Sequence, residues 1–381
     1  WPHFVSFKLM IISKAKIIQI QIPYQSVLST SRGPGSLFKH ALLLYLTTSE
    51  GRSIYSECVA FPDPLYWPET IQMAHYSLSK WLLPRLLGVS LDSVSHASSI
   101  MDAHVRGHEM AKGCIEMGVS ALWAADQSLA QFLGSTQSQV EAGYVIGHIP
   151  DDQELVSTIQ LGLSQGYCSF KFKLCPGDED RLSRLITETI PEYVRVSLDA
   201  NGAYQPNDIG DLSQVNWDRI SQFEQPFSWQ DLSSHQVLAR QIPATILLDE
   251  SLRAWQQVPL LSTGNPLLGL SIKPGRLGGY GPAKMVLDQA KKLGVSCRLG
   301  GMMETGIGRA YALAFSGLDG IDLGSDLSAS DRYFERDVLQ DPIQVTDDGY
   351  LNIPDQGGIG VKVDEDYLAF LEVESEELYA E

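Results

Sequence analysis

Three acidic residues, Asp199, Glu224 and Asp249, follow one another at intervals of 25 residues. Lys173 precedes this series by 26 residues and Lys273 follows it by 24. Each of the five lies at the end of a short apolar run, in FKFKL, VRVSLDAN, ISQFEQP, TILLDES and LSIKPG. The pattern places one polar group at the end of each successive strand, about one strand-plus-helix unit apart. A parallel barrel repeats in this way, and its catalytic residues lie at the carboxyl ends of its strands.

The three carboxylates predict a metal site. In a parallel barrel they would come from three consecutive strands and converge on one point. Carboxylate oxygens without nitrogen or sulfur ligands suit a hard divalent cation, with Mg²⁺ favoured and Mn²⁺ as the alternative. Without a cation, three buried carboxylates would repel one another strongly.

The lysines predict acid–base chemistry. Lys171 and Lys173 alternate with apolar residues in FKFKL, so both side chains share one face of a strand. Crowding of the two cations is expected to lower a lysine pKa toward neutrality, as a general base requires. Lys273 would lie across the barrel mouth from Lys173. The set therefore suits abstraction of a proton next to a carboxylate, with an enolate that the metal stabilises.

The apolar patterns predict the elements that hold these residues. KIIQIQIP, HALLLYLTT and SIYSECVAF alternate like antiparallel strands, the last two joined by a turn at 49–52, and helices are expected at 68–87 and 103–123. Beyond them, eight apolar runs alternate with helical stretches, the clearest at 151–165, 178–190, 281–293 and 304–317. This order favours a (β/α) barrel over an open doubly wound sheet. The C-terminal segment is expected to return to the first domain, and its final acidic stretch, EVESEELYAE, to be a frayed, solvated tail.

Composition limits the partners. The 381 residues carry a net charge of −18 and 44% hydrophobic content, which fits a globular protein with a small-molecule substrate. A nucleic-acid or anionic-membrane surface would need clustered Lys and Arg instead. The five cysteines are scattered, without a C-x-x-C pair, which favours reduced thiols in the cytoplasm.

The N-terminal residues predict neither a membrane span nor export. The apolar run at 4–12 is too short to cross a bilayer and lacks a small-residue cleavage site. Because the chain opens on Trp1, we expect that the true start lies upstream or that the first residues are foreign to the gene product, with Met10 as the native start in the second case.

Five motifs together resemble the enolase superfamily, in its muconate-lactonizing-enzyme-like subgroup. They are K-x-K at 171–173, DAN at 199–201, FEQPF at 223–227, LDES at 248–251 and IKPGRLGG at 272–279. GGMMETGIGRA at 300–310 and SASDRYFERDV at 328–338 resemble the o-succinylbenzoate synthase and N-acylamino-acid racemase family. The resemblance implies an α/β fold, a (β/α)7β modified TIM barrel with an N-terminal α+β capping domain. The implied division is a cap at 1–130, a barrel at 131–327 and a C-terminal segment at 328–381 that returns to the cap.

The resemblance also implies roles for individual residues. Asp199, Glu224 and Asp249 become the magnesium ligands, Lys173 and Lys273 the acid–base pair, and Lys171 an electrostatic neighbour. The implied substrate contacts are Asn201, Arg276, Gly301, Met302 and Ser325. Arg276 also fits a solvated surface group equally well, and Val145 stands where relatives often carry Ser. The loop at 22–33 is expected to cover the site.

The implied activity is a magnesium-dependent o-succinylbenzoate synthase, a carbon–oxygen lyase that dehydrates a cyclohexadiene carboxylate in menaquinone biosynthesis. An N-acylamino-acid (N-succinylamino-acid) racemase on the same residues is the first alternative, and one protein could do both. The second alternative is a catalytically silent barrel. We expect a small-molecule carboxylate substrate, a homo-oligomer, and neither a nucleic-acid nor a membrane partner.

Overall fold

The computed structural model describes residues 9–25, 36–261 and 268–380. Its first strands are β1 (Met10–Pro23), β2 (Phe38–Thr48) and β3 (Ser53–Cys58), which pair in antiparallel order β1-β2-β3. The predicted turn joins β2 to β3, where the Thr48 amide donates to the Arg52 carbonyl at 2.8 Å. Gly51 has φ 82° in this turn, a conformation that favours glycine. The three predicted strands are confirmed.

The helices of the first domain differ from prediction in two places. They are α1 (Ile71–Ser77), a π-helical turn at Leu78–Leu82, α2 (Leu83–Leu86), α3 (Val94–His104), α4 (Glu109–Trp123) and α5 (Leu129–Leu133), with the short strand β4 (Ser90–Leu91) between α2 and α3. The predicted helix at 68–87 contains the π-helical turn because Pro84 has no amide to donate.

The predicted start of the next helix near residue 103 is wrong. Gly107 and His108 adopt φ of 70° and 60°, which separates α3 from α4. The carboxylate of Glu69 then accepts hydrogen bonds from the Met110 and Ala111 amides at 2.8 and 3.0 Å. A distant side chain therefore caps α4, and periodicity within the helix cannot show this.

Eight parallel strands form the barrel, in the predicted order. Their sheet runs from β6 to β13 without a crossover. The strands are β6 (Gly143–Ile146), β7 (Ser169–Lys173), β8 (Arg195–Asp199), β9 (Gln222–Glu224), β10 (Thr245–Leu248), β11 (Leu268–Ile272), β12 (Cys297–Leu299) and β13 (Ile321–Ser325), preceded by the short strand β5 (Gln139–Glu141). The fold class, a TIM-like barrel beside an antiparallel N-terminal sheet, is confirmed.

The barrel closes just past the end of β13. The Gly143 amide donates to the Leu327 carbonyl at 2.7 Å, and Ser328 Oγ donates to the Gly143 carbonyl at 2.5 Å. A Cβ atom at residue 143 would lie 2.7 Å from the Asp326 Cα atom, so only glycine permits this approach.

Helices surround the barrel as far as the chain is described. They are α6 (Asp152–Ser164), α7 (Glu179–Thr189), α8 (Leu232–Leu238), α9 (Val258–Leu261), α10 (Pro274–Leu277), α11 (Tyr280–Leu293) and α12 (Gly306–Ser316). Between β8 and β9 the connection is 3₁₀-helical, at Pro206–Gln214 and Trp217–Arg219. The four helices predicted most clearly are confirmed, each with ends within two residues of those expected. No helix in the described ranges is both long and apolar enough to cross a membrane.

The prediction of a frayed tail is wrong. After β14 (Tyr350–Asn352), which pairs with β5, the chain forms α13 (Glu365–Leu371) and β15 (Glu372–Tyr379). β15 pairs antiparallel with β1 along seven residues. Its acidic side chains meet basic ones: Lys14 Nζ lies 2.8 Å from Glu377 and Lys16 Nζ 2.9 Å from Glu372. A run of like charge is ordered here because a complementary strand lies beside it. The boundaries at residues 130 and 327 stay predictions.

Helix α4 joins the first domain to the barrel. Glu116 in α4 accepts hydrogen bonds from the Tyr280 and Gly281 amides at 2.8 and 3.0 Å, at the start of α11. A Cβ atom at Gly279 would lie 2.3 Å from a Glu116 oxygen. The glycines of α10 and of its C-terminal cap thus allow α4 to approach the barrel closely.

Glu116 makes the stability of this contact depend on pH. Burial raises the pKa of its carboxyl to about 7, although the two amides partly oppose the shift. The folded chain therefore holds a proton that the unfolded chain releases near pH 4.5, and the free energy of unfolding falls as pH rises between those values. We expect Glu116→Gln to reduce the fall in melting temperature between pH 5 and 7.5. Thermal unfolding at half-unit pH steps measures this, with the exposed Glu188→Gln as control. An unchanged pH slope would contradict it.

Candidate active site

The strand register gathers the predicted residues at one end of the barrel. Lys173 is the Cα partner of Asp199, and Asp199 is the partner of Glu224, across β7, β8 and β9. Asp249 follows the last residue of β10 directly, and Lys273 follows the last residue of β11. β7 and β11 are four strands apart in a barrel of eight, so the two lysines stand half a turn from each other.

Lys171 lies deepest and is surrounded by carboxylates. Its Nζ lies 3.0 Å from Glu224 Oε2 and 3.4 Å from Asp199 Oδ2, and it donates a very short hydrogen bond to Asp326 Oδ2. Its side chain is 5% exposed. Burial alone would lower the pKa of Lys171, but the three carboxylates raise it above its usual range. Lys171 therefore stays a cation here, in keeping with an electrostatic role.

Lys173 is the more accessible lysine of β7. Its Nζ donates to Asp199 Oδ2 at 2.7 Å and to Asn201 Oδ1 at 2.6 Å. Asn201 has φ 48°, and its amide donates to Asp199 Oδ1 at 2.9 Å. The tight turn after β8 thus directs the Asn201 side chain onto the lysine.

Lys273 is held by a second cluster. Its Nζ lies 2.9 Å from Asp249 Oδ2 and 3.0 Å from the Tyr66 hydroxyl oxygen. Arg276 is fully buried and donates very short hydrogen bonds to Asp249 Oδ1 and to the Tyr66 hydroxyl. Burial alone would raise the pKa of Asp249, but Arg276 and Lys273 hold it well below its usual range.

The expected lowering of the lysine pKa by crowding of Lys171 and Lys173 is wrong for Lys171, whose pKa is raised. Lys273, across the barrel, shows the same balance, because burial lowers its pKa while Asp249 and other neighbours raise it well above its usual value. Repulsion between cations lowers a lysine pKa, but a carboxylate in contact with the ammonium group raises it by more.

The donor set fits a divalent cation. Glu224 is fully buried, and its Oε1 has no hydrogen-bond partner in the described chain. Asp199 and Glu224 already share one cation, the Lys171 ammonium group. Burial and the nearby charge of Asp249 would raise the pKa of Asp199, but Lys173 and Lys171 hold it below its usual range. Over the described ranges, no three His, Cys, Asp or Glu side chains are close enough to hold a metal ion. Lysine and arginine N–H groups donate hydrogen bonds to most of the carboxylate oxygens of Asp199, Glu224 and Asp249 instead.

The remaining predicted substrate contacts occupy different surroundings. Arg276 is buried against Asp249, so the alternative of a solvated surface group is wrong. The Gly301 amide donates to Asp326 Oδ1 at 2.6 Å, and Met302 packs against the core of the first domain. Ser325 Oγ donates to the Glu141 carbonyl at 3.1 Å. Their substrate roles stay predictions, and residues 26–33 of the expected covering loop lie outside the described residues.

An open cleft of about 540 Å³ lies beside Lys173. Its lining includes Asn201, Glu250, Leu65 and Trp229. Asn201, which accepts a hydrogen bond from Lys173, therefore connects the wall of the cleft to this lysine.

Sequence reasoning missed two residues of the site. Asp326 directly follows β13 and binds Lys171, so the strand-end signal that revealed Asp199 applied to it as well. Tyr66 had no comparable signal, because it reaches Asp249 across 183 residues from a loop of the first domain.

Asp326→Asn is expected to lower kcat about tenfold to a hundredfold. Losses of this size follow at metal sites when a residue that hydrogen-bonds to the groups around the metal is replaced. The variant removes the negative charge next to Lys171 and weakens the contact with the Gly301 amide. Steady-state kinetics measure the effect, and Asp319→Asn on the surface provides the control. Unchanged kcat in Asp326→Asn would show that Lys171 needs no such partner.

Comparison with known proteins identifies the family. A family model described as Enolase C-terminal domain-like matches residues 154–367. The chain belongs to the enolase superfamily. Members of this superfamily generally use a divalent metal, and the carboxylates at the ends of β8, β9 and β10 are the donors available for one here.

Individual superfamily members match over nearly the whole chain. An N-succinylamino acid racemase of Thermus thermophilus is 32% identical over 354 residues, which cover 92% of this chain and 95% of the relative. An o-succinylbenzoate synthase of Enterococcus faecalis is 30% identical with the same coverage of both chains. A solved structure of an enolase superfamily member from Listeria innocua has a TM-score of 0.91 and 28% identity, covering 98% of this chain and 100% of that one.

Proposed function

We propose that the chain is a magnesium-dependent o-succinylbenzoate synthase that dehydrates a cyclohexadiene carboxylate, in menaquinone biosynthesis. The observation that carries the proposal is the placement of Lys173 and Lys273 half a barrel turn apart, with Asp199, Glu224 and Asp249 on the strands between them. Relatives that share 30% identity or more across most of the chain carry this activity in their names.

The residues divide the reaction between them. Lys173, on the cleft side, removes the proton α to the substrate carboxylate and returns it to the departing hydroxide, which leaves as water. Lys273, held by Asp249 and Tyr66, remains a cation that faces the enolate. Lys171 adds positive charge below the site. A Mg²⁺ ion held by the three carboxylates would supply further positive charge to stabilise the enolate.

A second activity, racemisation of N-succinylamino acids, is favoured by the same two lysines. Groups on opposite sides of the α-carbon allow one to remove the proton and the other to deliver it to the opposite face. Lys273 is buried as a well-held ammonium group, which makes it a proton donor placed for this step. The relative from Thermus thermophilus is named for this activity.

Two assays test the proposal. Loss of the cyclohexadiene chromophore in the presence of Mg²⁺ reports dehydration, and α-proton exchange of an N-succinylamino acid in D₂O, followed by NMR, reports racemase chemistry. We expect both to require the metal, and comparison of kcat/KM for the two substrates ranks them. If neither substrate reacts, the barrel has a non-catalytic role.

A further inference from the structure

A guanidinium group lies between two tryptophan rings at the rim of the cleft. The Arg253 Cζ atom is 4.4 Å from the centre of the Trp67 ring and 4.2 Å from that of Trp229. Trp67 belongs to the first domain, while Trp229 and Arg253 follow β9 and β10. Stacking of this kind covers the flat faces of a guanidinium and leaves its N–H edge open for hydrogen bonds.

Among the buried and partly buried arginines of the described ranges, Arg253 is the one whose guanidinium group has neither a hydrogen-bond nor an ion-pair partner. Arg276, Arg181 and Arg336 form ion pairs with Asp249, Asp152 and Asp364. Arg253 forms none with any residue the structure describes, and the hydrogen bond it makes comes from its backbone amide, to Gln257. Burial and the neighbouring Arg276 both lower the pKa of Arg253. A half-buried positive charge is therefore uncompensated at this position.

The position connects with the reaction centre. Trp229 lines the open cleft of about 540 Å³, together with Asn201, which binds Lys173. A substrate held at the lysines by its reacting carboxylate can extend through the cleft toward Trp229. Among the cleft-lining residues the charged one is Glu250, which would repel an anion, so a cation at the rim is needed to receive one.

We infer that Arg253, held between Trp67 and Trp229, binds a second carboxylate of the substrate, distant from the carbon that loses its proton. A guanidinium edge offers two parallel N–H donors that match one carboxylate. The site thus selects dicarboxylic acids, including N-succinyl over neutral N-acyl compounds. This inference rests on the proposed function for the identity of the reacting end.

A matched pair of ligands tests the inference. The acyl chain of N-succinylphenylalanine ends in a carboxylate, and that of N-butanoylphenylalanine ends in a methyl group. Calorimetry with the Mg²⁺-loaded protein measures binding of both, and α-proton exchange in D₂O measures their kcat/KM. We expect the native chain to prefer the succinyl compound about tenfold to a hundredfold. Arg253→Gln should lose this preference mainly through KM, and Arg253→Lys should keep part of it.

Controls separate this role from one in holding the domains together. The exposed Arg184→Gln makes the same charge change and should keep the native preference, while thermal unfolding reports any loss of stability in Arg253→Gln. If Arg253→Gln weakens both ligands equally, or the native chain shows no preference, Arg253 only joins the domains and the inference is wrong. If the binding preference is present but no proton exchanges, the proposed function fails while the carboxylate site stands.

Discussion

Lys173→Ala is expected to abolish both dehydration and α-proton exchange, with a loss in kcat of at least about a thousandfold. General-base catalysis contributes about 10² to 10⁴ in rate. Neither of the other two amines can replace Lys173, because Lys171 is held as a cation among three carboxylates and Lys273 lies half a barrel turn away. Chromophore loss and NMR exchange measure the two reactions. Because Lys173 pairs with Asp199 and Asn201 at the barrel mouth, its removal should leave the fold intact.

Lys173→Arg tests whether residue 173 acts as a base or only as a positive charge. Arginine keeps a cation next to Asp199 but does not lose its proton at any working pH, so the variant should be as inactive as Lys173→Ala. The exposed Lys291→Ala should retain native activity. Full turnover in Lys173→Arg would overturn the assignment of Lys173 as the base.

Glu224→Gln is expected to remove both metal binding and turnover. The substitution keeps the size of the side chain but removes its negative charge and replaces one of its oxygens with an NH₂ group, next to the Lys171 ammonium. A ligand that binds the folded chain raises its melting temperature. We therefore expect Mg²⁺ to raise the melting temperature of the native chain and not that of Glu224→Gln, with kcat reduced at least about a hundredfold.

Removal of the metal provides the companion experiment. Treatment with EDTA should abolish turnover by the native chain, and added MgCl₂ should restore it, while Glu224→Gln should stay inactive in both conditions. The exposed Glu188→Gln should behave as the native chain. Persistent turnover in EDTA, or a native Mg²⁺ response in Glu224→Gln, would contradict a role for this carboxylate as a ligand.

The sequence predicts the barrel well because most of its strands end on or directly before a polar residue that belongs to the barrel itself. A buried parallel strand reads as an apolar run, and the polar residue at its carboxyl end faces the shared site. Asp199, Glu224 and Asp249 carried both signals at a regular interval, so fold and site were found together. Asp326 carried the same signal but lay outside the interval.

The features that sequence reasoning missed depend on contacts between distant segments. The break before α4 coincides with a cap supplied by Glu69, and Tyr66 reaches the site from another domain. The acidic tail became a strand because β1 presents lysines beside it. Lysine pKa values likewise depend on which carboxylates surround Lys171 and Lys273, which a linear pattern does not reveal.

Diffraction from crystals soaked in Mn²⁺, with the anomalous signal of the ion, shows whether the three carboxylates hold one cation. We expect one strong peak within coordination distance of Asp199, Glu224 and Asp249, with Lys173 and Lys273 on opposite sides of it. Carboxylates that keep their lysine and arginine partners at saturating Mn²⁺, with the peak elsewhere or absent, would contradict this expectation.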